Sequence, residues 1–300
     1  MGNSSANRWE NYYTPETVAE AVELLQRYDG QARVVGGGTD LVVEIRRGLH
    51  RPIDALVDAS RITGLNTIDE DGDYIVIGCG VTHSQIVRDA RIVQYGTCLS
   101  ESCGVIGGPQ VRNVGTLAGN VAHALPAGDG TIGLLALGGE IEIASVDGTR
   151  WIPMQESFKG PGKSFINRHR EVLTRLRFKP TGTREGSAHH RVMRPQGLCL
   201  PIISMAVRIQ LDQNNTIAKA RISMGPVGPV PFLAQSAMDV LVGGIASAEQ
   251  FDKAAEAALA SVTLRSSKYR ASEGYRQQMV RTYLPAILTR AVEQATGGAS

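Results

Sequence analysis

Apolar residues recur at Val18, Ala21, Val22 and Leu25, the i, i+3, i+4, i+7 spacing of one helix face. Ahead of them Thr14-Pro15-Glu16 supplies an N-cap, a first-turn proline and a dipole-favoured acid, so an amphipathic helix is expected from there until Gly30 stops it. Val34 and Val35 then run into Gly36-Gly37-Gly38-Thr39-Asp40 and Leu41-Val42-Val43, which predicts a strand, a tight glycine turn, and a helix or second strand. Short strands are expected at 53 to 58 and 74 to 78, and Thr82-His83-Ser84-Gln85 has the spacing of a capping box that opens a helix. Residues 104 to 130 carry seven glycines and two prolines with few charges. That density predicts irregular chain, and a long irregular segment in a compact domain signals a binding role.

Strand patterns return at 140 to 146, 151 to 153 and 171 to 178. The polar stretch Lys179 to His190 reads as a linker, which puts His189 and His190 in solvent and a domain boundary between about 180 and 186. Beyond it, strands at about 200 to 211 and 217 to 224 precede helices at about 247 to 262 and 271 to 294, the order of an α+β domain. The expected division is therefore 1–180, with subparts of about 1–60 and 61–180, followed by 186–297.

Composition narrows the partners. Lysine plus arginine number 31 against 29 acids, a net charge of +2, so the excess expected of a dedicated nucleic-acid binder is missing. No apolar run reaches the roughly 18 residues of a membrane span, and Met1 to Asn11 lack the apolar stretch of a secretory signal, so a cytoplasmic location is the expectation. Cys79, Cys98, Cys103 and Cys199 lack the spacing of a zinc or iron–sulfur site and read as reduced core thiols.

The glycine segments carry the candidate chemistry. Successive N–H groups in a glycine turn form a nest for anions, and missing side chains let a pyrophosphate approach the backbone. Two common phosphate motifs are excluded by counting: Leu41 stands where G-x-G-x-x-G needs its last glycine, and Ser157 where a P-loop ending in Gly162-Lys163-Ser164 needs its first. Alone, the 36 to 40 turn is as compatible with an ordinary structural turn.

A second segment decides the matter: Gly107-Gly108-Pro109-Gln110-Val111-Arg112-Asn113-Val114-Gly115-Thr116-Leu117-Ala118-Gly119-Asn120, continuing through Val121-Ala122-His123-Ala124-Leu125-Pro126-Ala127-Gly128-Asp129. It resembles the PQIRN-x-GT-x-GGN…D signature of the FAD subunits of molybdenum hydroxylases, the family that includes the flavin subunits of aerobic carbon monoxide, xanthine and nicotinate dehydrogenases. Residues 36–41 match its AGGTDL motif, Phe158 to Lys163 its GPGK loop, and Arg191 to Val207 the start of its C-terminal domain. The resemblance spans essentially the whole chain.

The resemblance implies a vanillyl-alcohol-oxidase-type (PCMH-like) FAD-binding domain followed by an α+β domain of antiparallel sheet and helices. It implies FAD contacts from Val35, Gly36, Gly37, Gly38, Thr39, Asp40 and Leu41 on one side and from Thr116, Ala118, Gly119, Asn120 and Ala122 on the other. Ile106, Gly107 and Leu173 take packing positions, Asp129 lies near the ribityl chain or ribose, and Arg191 stands where relatives often carry a lysine. No catalytic acid or base and no metal ligand is implied on this chain. Gly36 replaces the usual alanine and Ala118 a glycine, both small for small; Cys199 falls near a position commonly aspartate.

Other roles stay open at this stage: an N-cap for Asp129, a phosphate ligand, a buried structural ion pair or a carbonyl clamp for Arg112, a scaffold or flavin-facing role for His123. The molybdenum cofactor and two [2Fe-2S] clusters belong, by the resemblance, to a large and a small partner subunit in a dimer of heterotrimers, with NAD, a quinone or oxygen as final acceptor. A self-contained flavin oxidase of the same superfamily, or a nucleotide-binding scaffold without redox activity, are the competing readings.

Overall fold

The computed structural model describes residues 9–50, 53–194, 200–268 and 270–297. The first subpart contains β1 (Asn11–Tyr13), α1 (Val18–Arg27), β2 (Ala32–Val35), α2 (Leu41–Arg46) and β3 (Ala55–Asp58). Its three strands pair in parallel in the order β1-β3-β2. Helix α1 buries Ala21, Val22, Leu24 and Leu25, the face the periodicity predicts, but its N-cap is Thr17, whose hydroxyl accepts the Glu20 N–H. The cap expected at Thr14 lies one turn too early, because Thr17 offers the same chemistry closer to the first buried turn.

The central part runs through β4 (Ile68–Asp71), β5 (Tyr74–Gly78), α3 (His83–Arg88), α4 (Ala90–Tyr95), α5 (Thr97–Gly104), α6 (Pro109–Arg112), α7 (Leu117–His123), α8 (Asp129–Ala136), β6 (Glu140–Ser145), β7 (Gly148–Pro153), β8 (Phe158–Gly160), β9 (Lys163–Ser164) and β10 (Val172–Phe178). Five strands form an antiparallel sheet, β4-β5-β10-β6-β7, whose inner face shares a core with α1, α3, α5, α7 and α8. The capping box is present in both halves: Thr82 caps the Gln85 N–H and the Gln85 side chain returns to the Thr82 N–H. Residues 104–130 correct the expectation of irregular chain, since α6, α7 and the start of α8 lie within them. Thr116 caps α7, Pro109 opens α6 at its first turn, and tertiary packing offsets the low helix propensity of glycine.

The last part comprises β11 (Glu185–Met193), β12 (Pro201–Leu211), β13 (Ile217–Gly225), β14 (Phe232–Leu233), α9 (Gln235–Leu241), α10 (Ala248–Ala260) and α11 (Glu273–Ala295). A four-stranded antiparallel sheet, β11-β12-β13-β14, packs its own core against these helices. The Lys179 to His190 linker needs correction, because its second half is strand β11. Alternation along it is strict. Gly186 packs on the Ala291 carbonyl and His190 stacks on Tyr283 at 4.0 Å, both facing α11, while Ser187, His189 and Arg191 point to the first lobe. His189 is accordingly buried, not in solvent. Covered on both faces, β11 offers polar side chains to a polar seam, and a polar stretch of this kind reads as linker in sequence alone.

Helix α8 lies between the lobes. At its C-terminal end Arg208 and Arg221 donate to the carbonyls of Leu137 and Leu135, supplying cations where the helix dipole is negative. Ser223 bonds the Ile132 carbonyl at 2.6 Å. Among the described residues no helix is long and apolar enough to cross a membrane. Cys79, Cys98 and Cys103 are buried free thiols, as expected; Cys199 lies outside the described residues.

Candidate functional site

The two glycine segments meet. A Cβ on Gly37 would stand 2.0 Å from the Val114 carbonyl oxygen and 2.7 Å from Gly115 Cα, so only glycine lets the turns touch. Gly36 lies against the Thr116 hydroxyl, and Gly38 has φ +68°, a conformation L side chains rarely adopt. The second segment is anchored from behind: the His83 N–H donates to Gly115 O at 3.0 Å, and Thr82 and Thr116 form an isolated bridge. The turn after β2 continues into α2, which settles the helix-or-strand alternative in favour of helix.

Hydrogen bonding separates the two turns. Among the described residues, the N–H groups of Gly37, Gly38, Thr39 and Asp40 donate no hydrogen bond. In the second turn the amides of Gly119 and Asn120 are already taken by Thr116, whose hydroxyl and carbonyl they reach at 3.0 Å each. The Asn120 side-chain oxygen accepts from the N–H and hydroxyl of Thr131 and so fastens α7 to α8. The first turn is therefore the main donor nest, and the second is the wall it leans on, with the Thr116 and Ala118 N–H groups its own unspent donors.

Asp129 opens α8 beside this wall. Its flanking glycines abut Asn120 and Ile106, and its carboxylate meets Arg191 Nη1, from the second lobe, at 3.0 Å. The two side chains are only 5% and 2% exposed. Arg191 also donates to the Val105 carbonyl. Burial pushes Asp129 up to about 6, against the opposing pull of Arg191 and Ser204. His189, which shares a hydrogen bond with Ser204 at 2.8 Å, is driven down to about 3 by burial and by the cations around it, and is held neutral. Asp129 Oδ1 and Arg191 Nε and Nη2 are buried without a partner. Three orphaned polar atoms in one place, donors and an acceptor together, are costly unless ordered water or a ligand with both kinds of group completes them.

The other expected positions divide. Val35 ends β2, Leu41 begins α2, and Ile106 and Gly107 form the loop before α6, so these border the turns. Gly119 and Ala122 are exposed on α7. Ala118 and Leu173 belong to the central core. Arg112 resolves as a carbonyl clamp, its Nη1 donating to Ile106 and Gly107 at 3.1 Å, and Asp129 is the first helical residue of α8 with Gly128 as its cap. His123 pairs with Glu44 at 3.3 Å. Sequence reading missed His83, whose imidazole is buried against Gly115 and held down to about 4 by burial and Arg112. The capping box marks its position in the helix but carries no signal of what the side chain faces. No group of histidine, cysteine and carboxylate side chains that could hold a metal occurs among the described residues.

The geometry fits a dinucleotide cofactor: free amides for phosphate oxygens, a cradle that a Cβ would fill, and orphaned polar atoms suited to hydroxyls. Comparison with known proteins agrees. The family model described as the FAD binding domain in molybdopterin dehydrogenase matches residues 5–179, and the one described as the CO dehydrogenase flavoprotein C-terminal domain matches residues 188–291. The xanthine dehydrogenase FAD-binding subunit of Escherichia coli O157:H7 is 28% identical, over 96% of this chain and 97% of the relative. The nicotinate dehydrogenase FAD-subunit of Eubacterium barkeri is 27% identical over the same shares. Among solved structures, a chain of carbon monoxide dehydrogenase from Hydrogenophaga pseudoflava superposes with a TM-score of 0.87 at 25% identity, covering 97% of this chain and 99% of its own. The chain belongs to the family of FAD-binding medium subunits of molybdenum hydroxylases.

Proposed function

We propose that this chain binds FAD between its glycine turns and works as the electron-transfer subunit of a molybdenum-containing hydroxylase or dehydrogenase. The nest amides of Gly37 to Asp40 would hold the diphosphate without a cationic side chain. Asp129 and Arg191 would hold hydroxyls of the ribityl chain or ribose, and Ile106 and Gly107 would wall the pocket. When bound, FAD supplies the chemistry of accepting electrons one at a time and releasing them in pairs. The residues around it serve to bind, orient and exclude water. No proton transfer by this chain is needed, in keeping with His83 and His189, both held neutral by burial.

The carrying observation is the set of four unspent amides on the first turn, facing a wall in which the Gly119 and Asn120 amides are already taken. The partner assignments rest on kinship. In this reading an iron–sulfur subunit delivers the electrons, a large molybdenum subunit oxidises the substrate, two such heterotrimers associate, and NAD, a quinone or oxygen takes the electrons away in the cytoplasm. Val111, Val114, Leu125 and Phe165, on segments flanking the turns, are large apolar side chains left exposed, a surface suited to a partner chain. Purification under native conditions is the test. Flavin absorbance, with a molybdenum subunit and an iron–sulfur subunit co-purifying, is the expected result. Substrate-dependent flavin reduction by this chain alone would make it a self-contained oxidase, and a colourless protein indifferent to FAD would reduce it to a scaffold.

A further inference from the structure

The two glycine turns touch over a few residues, where Gly37 packs on Val114 and Gly115 and Gly36 on Thr116. These contacts are confined to the turns themselves. A second connection lies further along the helices that leave the turns. Glu44 sits on α2 one helical turn beyond Asp40, its N–H bonded to the Asp40 carbonyl at 2.9 Å. Its Oε1 meets Nε2 of His123, the last residue of α7, at 3.3 Å, and its Oε2 meets Nε2 of His50 at 2.8 Å. Each carboxylate oxygen thus has its own imidazole. The Leu49 N–H folds back on the Glu44 carbonyl at 3.0 Å and brings His50 into reach.

The side chains are partly covered, at 29% exposure for Glu44, 22% for His123 and 16% for His50, so solvent screens the contacts only in part. Neither end of the bridge belongs to a nest: the donors of the cradle are upstream of α2, and the wall is capped by Thr116 at the opposite end of α7.

We propose that Glu44 and His123 are positioning residues for the cofactor: their contact is a further attachment between the two segments, beyond the glycines, and sets how widely the cradle opens, with His50 holding the carboxylate from behind. The proposal rests on the reading that the cradle binds FAD. It gives Glu44 and His123 one shared role, acting through α2 and α7 without touching the ligand.

The test is the dissociation constant of FAD for the full chain, read from the fluorescence of released flavin, in the wild type and five variants. Glu44→Ala and His123→Phe should each weaken binding about five- to tenfold, the size of a partly buried charge-assisted contact. Glu44→Gln, which keeps an acceptor, should lose less. His123→Gln, which returns an N–H donor, should recover at least half of the loss, a rescue that mere filling of space by phenylalanine does not give. The Glu44→Ala/His123→Phe double variant should bind no more than about twofold worse than the weaker single, because both changes remove one contact. Unchanged affinity in both single variants, or losses that multiply in the double, overturns the proposal while leaving FAD binding intact. A wild-type chain that takes up no FAD overturns the functional reading and this inference with it.

Discussion

The glycine cradle and the seam beneath α8 both hold distant parts of the chain in contact, and they do so by opposite means. In the cradle, contact depends on what is missing: the Gly37 backbone lies where any side chain would collide with Val114. In the seam, contact depends on charge: Arg191 and Asp129 are paired at 3.0 Å out of water, and the partly exposed Glu101 receives both the His189 N–H and Arg290. The first arrangement leaves donors free for a ligand; the second leaves an acid and a guanidinium partly unmatched. In the proposed reading, together they would offer a dinucleotide amides at one end and a hydroxyl-binding pair at the other.

Gly37→Ala tests the cradle most severely. A methyl 2.0 Å from a carbonyl oxygen forces backbone to move, and the expected cost is about 4 kcal/mol or more, at the upper end for single substitutions. Chemical denaturation of the flavin-free protein should show it. A variant of unaltered stability would mean that the turns do not touch, and the comparison would lose its first term.

The seam is tested next by Arg191→Met, which leaves Asp129 buried without its cation. Removing one partner of a buried pair costs about 3 kcal/mol, and the Asp129 carboxyl should rise further above about 6. Asp129→Asn in the same background should recover part of the loss, since no buried charge then remains. Equal stability of the single and double variants would show that the pair is not the unit holding the seam.

Acid should act on the seam and on the wall behind the cradle through their histidines. His189 and His83 ionise near 3 and 4 in the folded protein, against an ordinary 6.5. Their neutral forms are what fold, so stability is intact above about pH 6.5 and falls as the unfolded chain gains protons below it. Asp129 opposes the trend: its raised value means the folded chain takes up a proton first as pH drops through about 6. Two imidazoles against one carboxyl leave a net loss of about 1 kcal/mol between pH 6.5 and 5.5 by linkage arithmetic. Thermal melts of the flavin-free protein across that interval check the sign, and a melting temperature that rises on acidification contradicts it.

Legibility followed the same division. The cradle could be read because its chemistry is an absence repeated in order, Gly36 to Gly38 and then Gly115 and Gly119, and because α1 and the Thr82 capping box follow local rules. The helices between 104 and 130 were hidden by glycines that pack tightly in three dimensions, as Gly133 against Ser102 and Gly130 against Leu117 show for α8. The seam was illegible for another reason. His189 and Arg191 sit in a polar run, and only pairing with β12 and cover from α5 and α11 turn that run into a buried strand. Long-range contact of this kind leaves no periodic trace.

Gly119→Ala should have the smallest effect on the fold and the sharpest on function. Unlike Gly37, this glycine is exposed and helical, and a Cβ there would meet only the Thr116 hydroxyl, at 3.1 Å. Alanine's helix preference of about 1 kcal/mol should offset that crowding, leaving stability within about 0.5 kcal/mol of the wild type. Its open side is where the proposed ligand lies along the wall, so FAD affinity should drop about tenfold, measured by flavin fluorescence on a protein whose melt is unchanged. The two motif glycines would then separate: one needed because the protein fills the space, the other because the cofactor does. Should Gly119→Ala bind FAD as tightly as the wild type, the face of α7 opposite the nest is not a ligand surface, and the cradle closes on the diphosphate from the first turn alone.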